Sequence, residues 1–302
     1  KLINIASPPY GLFVKGQLPG ESTGSVAIIG ARECSEYGRL MAEYFANRLA
    51  KNNVRIISGM AWGIDGIAQS AALAAGGKSY AVLGCGVDIT YPAKNRVLYE
   101  KLCENGNGVI SEYAPATRAE ARRFPPRNRI ISGLCDVLLV IEARSKSGTL
   151  ITVDMATDQG RTVMVVPGRL TDNLSSGCLN LLYQGALPAT SIEAVMEQID
   201  LKGQMFLEGS LGKKVNNNRP SCKQTGKKSY GIEIKTEHPD ISPELAEVAG
   251  VLTMDPKSVE RIAYEAKMPL PDVQKTLTRL EMEDSAKEVG PGYFVRCLNI
   301  NG

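Results

Sequence analysis

Arg122-Arg123-Phe124-Pro125-Pro126-Arg127-Asn128-Arg129 sets one aromatic ring, followed by two prolines, among four arginines and an asparagine. Guanidinium groups pair with phosphates, and an exposed ring offers a nucleobase a surface to stack on. The run leads directly into an apolar strand, Val137-Leu138-Leu139-Val140-Ile141. A solvated loop whose Phe124 caps the core would use the same residue types. What favours binding is the set of turns that accompanies the run.

Each of those turns follows a short apolar run and precedes a helical pattern. Gly30-Ala31-Arg32 joins glycine to a cation, and glycine lets the backbone approach a ligand while a following helix N-terminus presents free N–H groups. The spacing is not G-x-G-x-x-G and no acid stands where a ribose hydroxyl would need one, so no dinucleotide cofactor is expected. Gly30 also fits a plain turn glycine. Ser58-Gly59-Met60-Ala61-Trp62-Gly63-Ile64-Asp65 is a second anion-friendly turn, in which Asp65 reads better as a helix cap than as a catalytic acid. Trp62, the sole tryptophan, fits base stacking and core packing equally well. After Gly84-Cys85-Gly86, Lys94 and Asn95 can reach phosphate and sugar; Cys85 lacks a histidine partner and reads as a small buried residue. Ser147-Gly148-Thr149 opens another helix, preceded by Arg144 and Lys146, and Val166-Pro167-Gly168-Arg169 closes the series.

These turns need a scaffold. Strands are predicted at 26–29, 54–58, 79–83, 108–111, 137–142 and 163–166, with 12–14 as a possible edge strand. Helices are predicted at 37–53, 64–75, 95–105, 127–132, 150–159, 180–184 and 192–198. Alternating helices and continuously apolar strands imply an α/β fold: a parallel sheet with helices on both faces. Ligands of such sheets bind at the carboxyl ends of the strands, where the turns above converge.

Composition narrows the classes. The 302 residues are 43% hydrophobic and 22% charged, with a net charge of +3, so a nucleic-acid site must be a local patch. Seven scattered cysteines without a Cys-x-x-Cys pair argue against a disulfide framework or a zinc site and point to a reducing cytoplasm. The one histidine, His238, sits in a polar stretch and leaves no basis for a catalytic triad in the core. No apolar run is long enough to span a bilayer and no signal-peptide pattern opens the chain. Lys1 is not an initiator methionine, so the sequence is expected to be part of a longer protein.

Four segments are expected: a lead-in over 1–24, a sheet domain over 25–200, a flexible basic linker over 201–240 and a small domain over 241–302. The linker carries Lys213, Lys214, Arg219, Lys223, Lys227 and Lys228, and reads as a soluble tether that could also help hold a polyanion. In the last segment, three helical patterns and a hairpin around Gly290-Pro291-Gly292 suggest a winged helix. Lys275 and Arg279 fall on its third helix with Glu281, Glu283 and Asp284 close behind, so it suits a protein contact at least as well as DNA.

Gly30-Ala31-Arg32, Ser58-Gly59-x-Ala61-x-Gly63-Ile64-Asp65, Ala81 through Asp88, Tyr91-Pro92-x-x-Asn95, Ser111-Glu112-Tyr113, Phe124-Pro125-x-Arg127-Asn128-Arg129-Ile130-Ile131, Ser147 through Thr152 and Val166-Pro167-Gly168 together resemble the DprA (Smf) family of DNA-processing proteins over residues 8–200. The resemblance implies an extended Rossmann-like core that binds single-stranded DNA without chemistry. It also implies protection of incoming strands, loading of a RecA-type recombinase during natural transformation or recombination, and a homodimer built through the core. Arg32 matches the family's backbone-gripping arginine and Phe124 its base-contacting phenylalanine. Several relatives have histidine where this chain has Arg123, which keeps the patch basic. Many carry a helical domain before the core, and a sequence that opens at Lys1 is expected to have lost that part.

The candidate DNA- and phosphate-binding residues are therefore Gly30, Arg32, Ser58, Gly59, Lys94, Asn95, Phe124, Arg127, Asn128, Arg129, Ser147 and Gly148. Arg32, Lys94, Arg127 and Arg129 would track phosphates, with Phe124 under a base and little sequence preference. Neither a catalytic residue nor a metal is expected. The alternatives are a nucleotide-binding sensor and a LOG-like nucleotide phosphoribohydrolase; the latter needs a Glu where this chain has Thr152.

Overall fold

The structure is a computed structural model that describes residues 1–20, 24–199, 243–253, 256–283 and 285–297. The expected linker, His238 and Cys222 lie outside these residues. The chain divides into two compact units, Lys1–Ile232 and Glu233–Gly302.

In the first unit eight strands form one sheet. In chain order they are β1 (Phe13–Gly16), β2 (Ser25–Ile29), β3 (Arg55–Ser58), β4 (Ser79–Leu83), β5 (Gly108–Ser111), β6 (Val137–Val140), β7 (Thr162–Val165) and β8 (Leu187–Pro188). Their spatial order is β1-β5-β4-β3-β2-β6-β7-β8. All neighbours pair in parallel except β1, which runs antiparallel along β5. The fold class is therefore the expected doubly wound, Rossmann-like α/β sheet, with an antiparallel edge strand. β8 was not anticipated, because two residues ending in proline carry no periodic pattern.

Helices cover both faces, so β2 through β6 are buried at every position. α1 (Glu36–Lys51) packs on α2 (Ile64–Ala74), and α2 lies against β2, β3 and β4. α3 (Arg96–Leu102) contributes Leu98, Tyr99 and Leu102 to a cluster with Met60, Ala81 and Leu83. Ala27, Ile29 and Val82 share a second cluster with Ile130 and Leu134 of α4 (Phe124–Leu134), Val153 of α5 (Thr149–Asp158) and Leu181 of α6 (Ser176–Tyr183). α7 (192–199) ends the described part of this unit. In α6, Leu181 is buried and Leu182 packs against the core.

α4 begins three residues earlier than the sequence predicts. Pro125 and Pro126 fall in its first turn, where the missing N–H groups would have no intrahelical partner, so the pair starts the helix and Phe124 is its first residue.

The second unit contains α8 (Pro243–Val251), α9 (Val259–Ala266) and α10 (Leu270–Met282). They accompany a three-stranded sheet of β9 (Lys257–Ser258), β10 (Ala286–Gly290) and β11 (Tyr293–Arg296), ordered β10-β11-β9. Its core joins Leu245, Val248, Ile262, Val273, Leu277 and Leu280.

Phe45 is among the largest fully buried side chains, on the α1 face that meets the core. Phe45→Ala should lower the unfolding free energy of the first unit by about 3–5 kcal/mol. Urea titration followed by circular dichroism would show a lowered midpoint; an unchanged midpoint would mean that α1 does not depend on this anchor.

Candidate nucleic-acid interface

From β2 the chain builds outward through β3, β4 and β5, then crosses back through α4 to β6 on the other side of β2. The β2–β6 boundary is therefore the topological switch point, where loops leaving the strands' carboxyl ends diverge and leave a crevice. A cleft of ≈ 580 Å³ opens there, lined among others by Arg32, Tyr91, Phe124, Arg144, Lys146 and Ser147.

The side walls are tied together. The Thr149 hydroxyl donates to Gly30 O at 3.3 Å, linking the β6–α5 loop to the β2–α1 loop. Thr149 N–H donates to Ser147 Oγ at 3.2 Å, which closes the turn that opens α5. Gly148 faces open space. Gly30 has a steric reason to be glycine: a Cβ there would lie 2.7 Å from Ile64 Cγ1 and 3.0 Å from Glu142 O.

The floor is organised by Arg127. It is 6% exposed, and Nη1 donates to Gly59 O at 2.9 Å and to Val82 O. Its Nε donates to Asn128 Oδ1 at 3.2 Å. Asp65, equally enclosed, accepts from Gly59 N–H at 3.1 Å. A Cβ at Gly59 would lie 2.7 Å from Arg127 Nη1 and 2.8 Å from Asp65 Oδ2, so only glycine fits where guanidinium and carboxylate converge. Burial pulls the Arg127 guanidinium down to about 10, against the opposing effect of Asp65, so it stays charged at neutral pH. Burial pushes the Asp65 carboxyl up, opposed by Arg127 and by the Gly59 N–H. Asp65 thus holds the turn before its own helix, whose N-cap is Gly63.

Phe124 sits one turn before Arg127. Its ring centroid is 5.4 Å from that of Tyr91, 5.9 Å from Arg32 Cζ and 5.7 Å from Arg127 Cζ. Gly84 makes room for it, since a Cβ there would lie 2.8 Å from the ring. The ring is half-buried and the Arg32 side chain is exposed. Arg144, Lys146 and Arg32 are all exposed at the rim, and none is paired with a carboxylate among the described residues.

Other predicted residues have internal partners. Ser58 is fully buried and donates to Ile28 O at 2.7 Å. Asn95 Nδ2 donates to Met60 O at 3.0 Å and to Ala61 O at 3.3 Å, clamping the β3–α2 loop. Arg129 Nη2 lies 2.6 Å and 2.9 Å from the two Glu112 oxygens. Lys94 is exposed, with Nζ 5.1 Å from the Trp62 ring centroid. The cleft therefore brings together Gly30, Arg32, Phe124, Arg127, Asn128, Ser147 and Gly148, while Ser58, Gly59, Lys94, Asn95 and Arg129 do not line it.

Three residues at the site stood in the turns read from sequence but not among the candidate contacts. Arg144 and Lys146 could have been taken from their place just after a strand's carboxyl end, and Tyr91 from its place beside Lys94. A fourth feature, Glu142, has no local signal. It is 1% exposed, and its carboxylate accepts from Ser35 N–H at 2.9 Å and from the Ser35 hydroxyl. A Cβ at Gly38 would lie 2.2 Å from Glu142 Oε2, so the carboxylate fills the N-terminus of α1, the position where a Rossmann-type fold receives a ligand's phosphate. The Cys85 thiol is pushed up by burial and is no poised nucleophile.

A family model for DNA recombination-mediator protein A matches residues 1–200. DNA processing protein DprA of Streptococcus pneumoniae is 41% identical over 199 residues, covering 66% of this chain and 70% of that protein. Protein Smf of Synechocystis sp. is 35% identical over 295 residues, covering 93% of this chain and 73% of that protein. The structure of DNA processing protein A from Helicobacter pylori, described for its single-stranded DNA binding mode, superposes with a TM-score of 0.59 at 29% identity, covering 67% of this chain and 92% of that chain. The chain belongs to the DNA recombination-mediator protein A family, the DprA (Smf) proteins.

Proposed function

We propose that this chain binds single-stranded DNA, without sequence preference and without catalysis, in the cleft at the β2–β6 switch point. The observation that supports this reading is that three exposed cations, Arg32, Arg144 and Lys146, line one cleft with the half-buried Phe124 ring. Rim cations free of acid partners suit phosphates, and a ring wedged between Tyr91 and two guanidinium groups suits a base on its open side. Arg127 and Asn128 act here by holding α4 and its first residue in place.

We further propose that the bound strand is protected and passed to a RecA-type recombinase, as the family's description as a recombination mediator suggests. A homodimer built through the core and a cytoplasmic location belong to the same reading. No described helix is long and apolar enough to cross a membrane. The segment 241–302 serves in this reading as a winged helix, tethered by 201–240 to a core over 25–200 with its lead-in over 1–24. The order α8, β9, α9, α10, β10, β11 supports that assignment.

A mononucleotide sensor would use the same cleft. Against it stands Glu142, whose carboxylate already occupies the α1 N-terminus and would repel a phosphate there.

Equilibrium binding of a long single strand and its duplex across a salt series, with AMP as competitor, tests the reading. Salt-sensitive preference for the single strand, indifferent to AMP, is expected; ready displacement by AMP would favour the sensor, and no binding would overturn the reading. Arg32→Ala should weaken binding and reduce the slope of log K against log salt by about 0.7, one single-strand phosphate contact. Unchanged affinity and slope would remove Arg32 from the site. Phe124→Ala should cost about 1–3 kcal/mol of binding with the melting temperature little changed; a large drop in melting temperature with intact binding would make the ring a packing residue. Arg127→Ala should instead destabilise the fold by about 3–5 kcal/mol, because it strands the buried Asp65 carboxylate. A variant that melts like the parent but binds weakly would return Arg127 to the phosphate-contacting set.

A further inference from the structure

Trp62 is 50% exposed, although it is the single tryptophan in a chain of 302 residues and sits in a turn tied to a neighbouring segment on each of two sides. Its neighbour Met60 is fully buried with φ of 53°, a left-handed backbone that costs free energy in a non-glycine residue unless packing enforces it. Gly63 has φ of 83°, and a Cβ there would lie 2.3 Å from Arg32 O. The N–H of Ile64 donates to Ala31 O at 3.2 Å, and Asn95 Nδ2 holds Met60 O and Ala61 O. The turn is thus fastened to the Arg32 loop on one side and to the Lys94–Asn95 turn on the other. Ala61 and Tyr91, each one step from these groups or close to it in sequence, line the cleft. Lys94 Nζ stands 5.1 Å from the indole centroid and is itself exposed.

We propose that Trp62 and Lys94 form a second base-and-phosphate subsite that continues the strand's path beyond the Phe124 cleft. The indole offers the larger stacking surface, and Lys94, on its flexible stem, pairs with the phosphate beside the stacked base. A rigid turn keeps the ordering cost of that surface low, which a loosely held tryptophan would not do. The inference rests on the single-stranded DNA reading above and adds the direction in which the bound strand runs.

Because Trp62 is the sole tryptophan, its emission reports on this subsite alone. The full chain is titrated with end-labelled oligothymidylates of increasing length, reading label anisotropy for binding and intrinsic emission for stacking. Long strands should bind and quench the emission, and Trp62→Ala should weaken them by about 5- to 100-fold, while leaving the shortest strand that still binds almost unaffected. Lys94→Ala should lower the salt slope for long strands by about 0.7. Anisotropy that reports binding while emission stays constant, and a Trp62→Ala protein that binds long strands like the parent, would overturn the subsite and leave the cleft reading standing. No anisotropy change with any strand would overturn both.

Discussion

A buried guanidinium is costly to desolvate, and the architecture of the sheet's carboxyl edge follows from how that cost is met. Arg127 comes from the first turn of α4, which crosses from one half of the sheet to the other, and it is anchored on the ends of β3 and β4 through Gly59 O and Val82 O. Two acceptors and the Asp65 charge replace the lost water. Everything nearby is shaped to admit it: Gly59 lacks a side chain where the two charges meet, and Gly84 lacks one where the Phe124 ring lies. The position of Phe124 is therefore a consequence of the packing beneath it, and the ring reaches the switch point with little freedom left to lose.

The outline of the fold was legible because strands buried on both faces must be apolar throughout, and β2, β4 and β6 read as such runs. The site's location was legible for a related reason, since turns at strand exits are where ligands meet open α/β sheets. Individual roles were harder to read. Arginine has the same fork of donors whether it holds a phosphate or two carbonyls, so nothing local separates Arg127 from Arg32. Ser58 and Asn95 look like ligand contacts in sequence, yet each bonds to main-chain carbonyls of a neighbouring segment. Such partners lie tens of residues away, beyond any local pattern. The proline pair after Phe124 reads as a break unless its place in a helix's first turn is foreseen.

A division of labour emerges. Polar groups that are buried at this edge, Arg127, Asp65 and Glu142, together with the half-buried Asn95, are engaged within the protein and fix the loops. The exposed cations, Arg32, Arg144, Lys146 and Lys94, are left to solvent or to a ligand. The two sets differ in exposure more than in residue type. This is why a cation in this region is better judged by what its donors already hold than by its charge.

The sheet's two outer strands differ from the rest in a way that bears on how the protein coexists with copies of itself. An open sheet edge is a template on which another chain can add a strand. At one border β8 supplies two residues, the second a proline without an N–H, so an incoming chain would find almost no ladder to extend. At the other, β1 is four residues long, runs antiparallel to β5 and ends at Gly16, whose φ is 91°. Among the described residues the two borders together leave a second copy little backbone on which to add a strand, which weakens that route to self-pairing.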